Sequence, residues 1–256
     1  MLGNLFDFNP ATDAIKYEDL LEEDKYMMIL LQDLIAKTHE SYNNFSFDEV
    51  YRNILSYMTN QLSSYYLDYT KDILYIDKAD SLARRSIQTV IYHTTFALAT
   101  MLTPLIPHTT EEVYKYFVGE KKESIYLEKM PQAVEYSDAE EIKAKYNKFL
   151  NLRTDVLKAL ENARNNKVIG KSFNAKLIIK PTQETKELID SIHVNLQRVF
   201  IVSQLEITAN EIEGEQFETG TILVEPAQGT VCSRCWQVVH EVNEDELCER
   251  CAAILK

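Results

Sequence analysis

Glycine, proline and cysteine are all scarce in this sequence. The 256 residues include six glycines and six prolines, which excludes a collagen-like, linker-rich or glycine-loop architecture. All four cysteines fall within the last 25 residues, as two close pairs, so they cannot cross-link the fold as a whole. Such pairs are typical of a metal site in a reducing cytoplasm rather than of a secreted disulfide scaffold.

The sequence also lacks a secretion signal, because no basic segment followed by a long apolar one opens the chain. One stretch, residues 86–110, contains no Asp, Glu, Lys or Arg, as a membrane-spanning helix would. It nevertheless contains seven threonines, two prolines, Gln88 and His93, which are unfavourable in a bilayer. We therefore predict a helix buried in a bundle, no membrane partner and a cytoplasmic location.

Basic residues are outnumbered by acidic ones, 27 to 40, which gives a formal net charge of −13. That total argues against a nucleic-acid partner, but phosphate contacts are made by local patches. Residues 143–186 contain eleven basic and three acidic residues, a net charge of +8, while the rest of the chain has −21. The segment predicts a track for phosphates, and the alternative is a solvated helix face that keeps the protein soluble.

Apolar residues recur at helical spacing through the first two thirds of the chain. The pattern predicts long helices over residues 19–41, 46–69, 80–103 and 137–166, and a short helix that restarts near Thr109. Capping boxes at Ser46 and Ser137 begin two of them. Residues 119–131 are predicted as a loop, extended over 124–127.

After Gly170 the apolar period changes. Strands are predicted at 175–180, 200–202 and 221–225, with a helix over 183–194. The fold class is therefore mainly α: a helix bundle, then a small α/β unit and a C-terminal zinc ribbon with four cysteine ligands. The predicted division is 1–14 as a junction, 15–120 as the bundle, 121–228 as a connecting helix and α/β unit, and 229–256 as the cysteine module.

The cysteines follow a C-x2-C, x12, C-x2-C pattern. Two such turns bring four thiolates to one tetrahedral ion, with Zn–S bonds of about 2.3 Å. Because no coordination position stays open, the ion is structural. The pattern predicts one Zn²⁺ ion, with a disulfide pair or free thiols as the alternatives, and the ligands are Cys232, Cys235, Cys248 and Cys251.

The only tryptophan, Trp236, directly follows the second cysteine, and Arg234 and Arg250 lie inside the two turns. An aromatic ring beside guanidinium groups can stack on an unpaired base and contact phosphates. Alternatively, Trp236 packs over the turn as a miniature core. We find no glycine-rich phosphate loop, nucleophile elbow or His-Glu-x-x-His motif in the sequence, so no catalytic residue is predicted.

Several segments together resemble the C-terminal part of bacterial isoleucyl-tRNA synthetases. They are residues 1–8, the Pro-x-x-Pro-x-x-x-Glu-Glu stretch within 102–114, the segment from Arg164 to Ser172, and the Cys-x-Arg-Cys-Trp ending. The resemblance covers essentially the whole chain in the right order.

The resemblance implies an ATP-dependent ligase that joins isoleucine to its tRNA as a cytoplasmic monomer. The His-x-Gly-His and Lys-Met-Ser-Lys-Ser motifs that use ATP do not occur in this sequence. The chain is therefore expected to be the part that binds the anticodon stem-loop of tRNA(Ile), with ATP needed only by a catalytic domain outside it and no DNA partner. The expected tRNA contacts are Arg164, Lys167, Lys171, Arg234, Trp236 and Arg250.

Two alternatives belong to other classes. One is a free-standing zinc-containing tRNA-binding or helical interaction protein. The other is a DNA-repair glycosylase, which carries a similar cysteine pattern but needs a Pro-Glu nucleophile at its mature N-terminus, and Met1-Leu2 offers none.

Overall fold

The computed structural model describes residues 1–255. These residues form two compact units, divided between Ile142 and Lys143, and each is described by itself.

The first unit is a helix bundle. A ten-residue π-helical segment, Tyr57–Tyr66, joins α3 to α4 without a break, and α2 packs against α3 and α5. The helices are α1 (Pro10–Asp13), α2 (Glu22–Asn43), α3 (Phe47–Ser56), α4 (Leu67–Ile76), α5 (Leu82–Leu102), α6 (Pro107–Lys115) and the beginning of α7 (Ala139–Asn165).

Most of the charge-free stretch lies in α5, a buried helix as predicted, and its last four residues begin α6. Ile87, Val90 and Met101 on this helix are buried in the bundle core, and the side chain of Ser81 accepts a hydrogen bond from the Arg84 N–H at the helix start. Within residues 1–255, no helix has the length and apolar character needed to cross a membrane.

Three local predictions in the first unit are wrong. Ser46 precedes α3 but its hydroxyl does not cap the helix, and Glu49 accepts a hydrogen bond from the Ser41 hydroxyl at 3.5 Å. The helix after Pro104 begins at Pro107 rather than near Thr109, since proline fits a first helical turn. The segment Ile125–Leu127 is a 3₁₀ turn rather than extended.

The second unit packs the rest of α7 with a small mixed sheet of order β2-β1-β4-β3. β1 runs parallel to β2 and antiparallel to β4. Its elements are β1 (Ala175–Pro181), α8 (Gln183–Ser191), α9 (Leu196–Val199), β2 (Gln204–Ile207), β3 (Glu215–Phe217), β4 (Gly220–Pro226), β5 (Thr230–Val231), β6 (Val238–Val239) and α10 (Glu249–Leu255).

Helix α7 buries one apolar face along its length, where Tyr146, Phe149 and Val156 are fully enclosed. The rings of Phe149 and Phe200 stack with their centroids 6.2 Å apart. This contact packs the helix against the segment between α9 and β2.

The strand predicted at 200–202 is wrong. Phe200 ends α9, and Ile201 has a φ of 57°, which turns the chain before β2 begins at Gln204. Phe200 and Val202 are fully buried, and a short buried apolar run does not distinguish a strand from a helix end. The predicted fold class is confirmed: the chain is mostly helical, with a small sheet and a cysteine cluster towards its C-terminus. The four-part domain division stays a prediction.

Candidate metal centre and nucleic-acid interface

The four cysteines meet in a small ribbon formed by β5, β6 and α10. Their sulfur atoms all lie within 4.8 Å of one another, and all four residues are buried. The Sγ atoms of Cys235 and Cys248 are 3.7 Å apart, close to the roughly 3.8 Å that two Zn–S bonds of about 2.3 Å enclose at a tetrahedral angle. None of the four forms a disulfide, so the cluster could hold one metal ion.

Backbone N–H groups point at the sulfurs. Cys248 N–H donates to Cys232 Sγ at 3.3 Å, and Cys251 N–H donates to Cys248 Sγ at 3.5 Å. Burial would raise the pKa of the Cys232 thiol, but N–H groups of Cys235, Cys248 and Arg234 outweigh it and lower the pKa to about 6. Donors aimed at sulfur favour the thiolate, which is the form that binds metals.

The turns that carry the cysteines are tightly constructed. A Cβ at Gly229 would lie 2.0 Å from the Val239 carbonyl oxygen, so only glycine fits there. In the loop before Cys248, the Asn243 side chain accepts hydrogen bonds from the N–H groups of Asp245 and Leu247 at 3.1 and 2.8 Å. These contacts position the second cysteine pair against the first.

Trp236 adopts an unusual backbone conformation in the first turn. Its φ is 62°, a region that bulky residues rarely occupy, and its N–H donates to the Cys232 carbonyl at 2.9 Å. The side chain is 67% exposed. The ring is therefore presented to solvent, which does not fit the alternative in which it packs as a miniature core.

Arg164, Lys167 and Lys171 lie at the end of α7 and in the turn that follows, and we call them the basic surface. All three are exposed, and within residues 1–255 none of them forms an ion pair. Lys167 has a φ of 59°. The structure thus leaves three cations available at one helix end.

Of the eight other cations of the +8 segment, three form ion pairs with carboxylates and a fourth is buried. Lys148 pairs with Glu184 at 2.7 Å and Lys176 with Glu206 at 2.8 Å. Lys180 pairs with Glu211, and Arg153 is buried. Lys158 and Lys186 are exposed as well, and the end of α7 is where three exposed cations of the predicted phosphate track lie within eight residues of the sequence.

Arg234 and Arg250 are less exposed than the three residues of the basic surface. Both are half-buried, and each directly precedes a cysteine in the chain. Burial raises the pKa of the Cys251 thiol, and the Arg234 side chain partly offsets that rise. His240 is exposed and is not one of the clustered residues.

The helix bundle and the start of the second unit match a known family. Residues 24–179 match the anticodon-binding domain of tRNA ligase. The match covers more than half of the chain, so this protein belongs to the anticodon-binding domain family of tRNA ligases, and the predicted resemblance is confirmed.

Three proteins with sequences similar to the whole chain are isoleucine–tRNA ligases. The chain is 47% identical to the isoleucine–tRNA ligase of Bacillus cytotoxicus, 46% to that of Lactobacillus johnsonii and 45% to that of Bacillus mycoides. Each alignment includes the whole chain but only 29%, 28% and 29% of the respective relative. The chain therefore spans less than a third of the length of these ligases.

Proposed function

We propose that this chain is the tRNA-binding part of an isoleucine–tRNA ligase and holds the anticodon stem-loop of tRNA(Ile). The match of residues 24–179 to the anticodon-binding family is the observation that carries this proposal. The full ligase would attach isoleucine to tRNA with ATP, as a cytoplasmic monomer, and this chain would supply recognition without adenylation chemistry.

The basic surface supports contact with the RNA backbone. Phosphates attract local cations regardless of sequence, and Arg164, Lys167 and Lys171 are exposed without competing carboxylates in residues 1–255. Trp236 would stack on an unpaired base of the loop, because its ring is already in solvent and a stacked base covers apolar surface. Contacts from Arg234 and Arg250 to RNA stay a prediction.

The cysteine cluster fits a structural zinc ion, with Cys232, Cys235, Cys248 and Cys251 as its ligands. Four thiolates are a soft donor set typical of zinc, and the N–H groups around the sulfurs support the thiolate form. The bound ion would tie the two cysteine turns together and leave no open position for catalysis.

Selection from a mixed tRNA pool tests the proposed partner. The chain is incubated with total bacterial tRNA, crosslinked, and the bound tRNAs are sequenced. We expect isoleucine tRNAs to be enriched, because discrimination among tRNAs in this region must come from the anticodon stem-loop. Equal recovery of all tRNAs would contradict the proposal and favour the free-standing, non-selective tRNA-binding protein.

A further inference from the structure

Two neighbouring side chains at the start of β2, Ser203 and Gln204, attach the cysteine ribbon to the mixed sheet. The N–H of Val238 in β6 donates a hydrogen bond to the Ser203 hydroxyl oxygen at 2.7 Å. Ser203 and Val238 are both buried. Because a buried N–H group that loses its acceptor is costly, this contact favours one placement of β6 on the second unit.

The amide of Gln204 forms a second attachment. Its Nε2 donates to the Gln228 carbonyl at 2.8 Å, and its Oε1 accepts from the Gln228 N–H at 3.3 Å. One side chain thus pairs with both polar groups of one backbone residue, as a neighbouring strand would. Gln228 lies between β4 and β5, so the pair holds the segment through which the chain enters the ribbon.

Ser203 is itself held in place by the second unit. Its hydroxyl donates to the Phe173 carbonyl, and its N–H donates to the Ala175 carbonyl at 3.2 Å. The Ser203 carbonyl accepts a hydrogen bond from Nε2 of Gln197 at 2.6 Å. The oxygen that receives the Val238 N–H is therefore fixed in direction.

A groove of about 590 Å³ lies beside these attachments, between the ribbon and the sheet. Eight of its twelve lining residues are polar, among them Lys176, Glu206, Glu225 and His240. Walls of this kind bury little apolar surface against each other, so we infer that the hydrogen bonds of Ser203 and Gln204 decide the orientation of the ribbon.

The orientation of the ribbon determines the position of Trp236, which lies two residues before Val238. The N–H of Trp236 donates to the Cys232 carbonyl at 2.9 Å, and the N–H of Cys232 donates to the Gln237 carbonyl at 2.9 Å. These bonds tie the turn to β6. The exposed ring of Trp236 therefore moves with the strand that Ser203 holds.

We propose that Ser203 and Gln204 are positioning residues for RNA binding: they hold the ribbon in one orientation on the sheet and thereby place Trp236 where it can stack on an unpaired base. This inference rests on the proposed function. It adds two residues that act on RNA affinity through Trp236.

The test is a double-mutant cycle in the full chain, with the anticodon stem-loop of tRNA(Ile) as the RNA probe. Gln204→Met removes the amide and keeps an unbranched side chain, and it is combined with Trp236→Ala. Gln216→Met is the matched control, because Gln216 lies on β3 at the opposite edge of the same sheet and its amide oxygen accepts a hydrogen bond from Thr221 at 3.1 Å. Metal content is measured in every variant, which separates loss of the cysteine site from loss of orientation.

We expect Gln204→Met to weaken stem-loop binding by about 3- to 10-fold, since without two hydrogen bonds the ribbon spends less time in the binding orientation. In the Trp236→Ala background the same change should have no further effect, and Gln216→Met should match the wild type. Residual dipolar couplings of the ribbon amides should shrink relative to those of the sheet in Gln204→Met. In Ser203→Ala, the Val238 amide should exchange faster while the metal stays bound.

An equal loss of affinity from Gln204→Met with and without Trp236 would overturn the inference, because the amide would then act independently of the ring. Wild-type affinity in Gln204→Met would overturn it too, whether or not the couplings change. A wild-type chain that does not bind the stem-loop would contradict the proposed function itself, and with it any role of these residues in RNA binding.

Discussion

Lys167 adopts a backbone conformation that is unfavourable for lysine. The N–H of Val168 donates to the Ala163 carbonyl at 2.9 Å, and the N–H of Lys167 donates to the Arg164 carbonyl at 3.0 Å. This pattern is a Schellman turn, which normally has glycine at the left-handed position. A lysine there costs roughly 1–2 kcal/mol, so we infer that its exposed charge is the feature retained.

Replacing Lys167 by glycine should therefore separate stability from binding. Lys167→Gly is expected to raise the free energy of unfolding by about 0.5–1 kcal/mol, since relief of the left-handed backbone exceeds the added freedom of the unfolded chain. The same variant should bind tRNA more weakly. Urea unfolding and RNA titration measure the two effects.

Lys171→Gly is the matched control. Lys171 has an extended backbone with a φ of −133°, so a glycine there relieves no backbone strain. This variant should lose affinity for tRNA without gaining stability. A Lys167→Gly protein that is no more stable than Lys171→Gly would contradict this account of the turn.

At the scale of elements, the ribbon depends on its metal more than on its own packing. Strands β5 and β6 have two residues each, and two-stranded hairpins of that size are not stable alone in water. Apart from the cysteines, Val238 is the only buried apolar residue between positions 229 and 255. We infer that metal binding supplies most of the free energy that orders this part of the chain.

Removal of the metal should unfold the ribbon before the sheet. In excess chelator, the amide of Val238 is expected to lose protection from hydrogen exchange, while that of Ile178 in β1 keeps it. The fluorescence of Trp236 should change in the same titration, because this tryptophan is the only one in the protein. Persistent protection of Val238 after complete zinc removal would show that the ribbon folds without metal.

The sequence predicts these elements unevenly, for physical reasons. Metal ligands are found by spacing, because two close cysteine pairs need only a turn to converge. The left-handed backbone conformations of Lys167 and Trp236 cannot be predicted from the sequence, since neither residue type favours a positive φ. The π-helical geometry of Tyr57–Tyr66 depends on packing, and short β3 has too few residues for an alternating pattern.

Asp24 illustrates the same limit in the bundle. From the sequence it is one of several carboxylates at a helix start, where the helix dipole accounts for acidic residues. In the structure it is fully buried and accepts a hydrogen bond from the Tyr66 hydroxyl at 2.5 Å. Burial raises the pKa of Asp24 well above its ordinary value. Glu23 beside it is also buried and Glu22 is half-buried, so the sequence pattern does not show which of these carboxylates meets Tyr66.

For the whole molecule, the net charge of −13 conceals an uneven distribution. Residues 1–142 contain 24 acidic and 12 basic residues, while residues 143–186 have a net charge of +8. A polyanion is repelled by the negative charge of residues 1–142 and attracted by the positive charge of residues 143–186. Ion pairs within the second unit then neutralise several of its lysines, which leaves the basic surface as the expected place for phosphates.

The salt dependence of tRNA binding tests this central claim most directly. The Kd for the anticodon stem-loop of tRNA(Ile) is measured at several salt concentrations for the wild type, Lys171→Ala and the control Lys186→Ala, which removes an exposed lysine outside the basic surface. We predict that Lys171→Ala binds more weakly and that its log–log slope is smaller by roughly one, because one phosphate contact is lost, while Lys186→Ala matches the wild type. Equal slopes in all three proteins would place the basic surface away from the RNA and contradict the account.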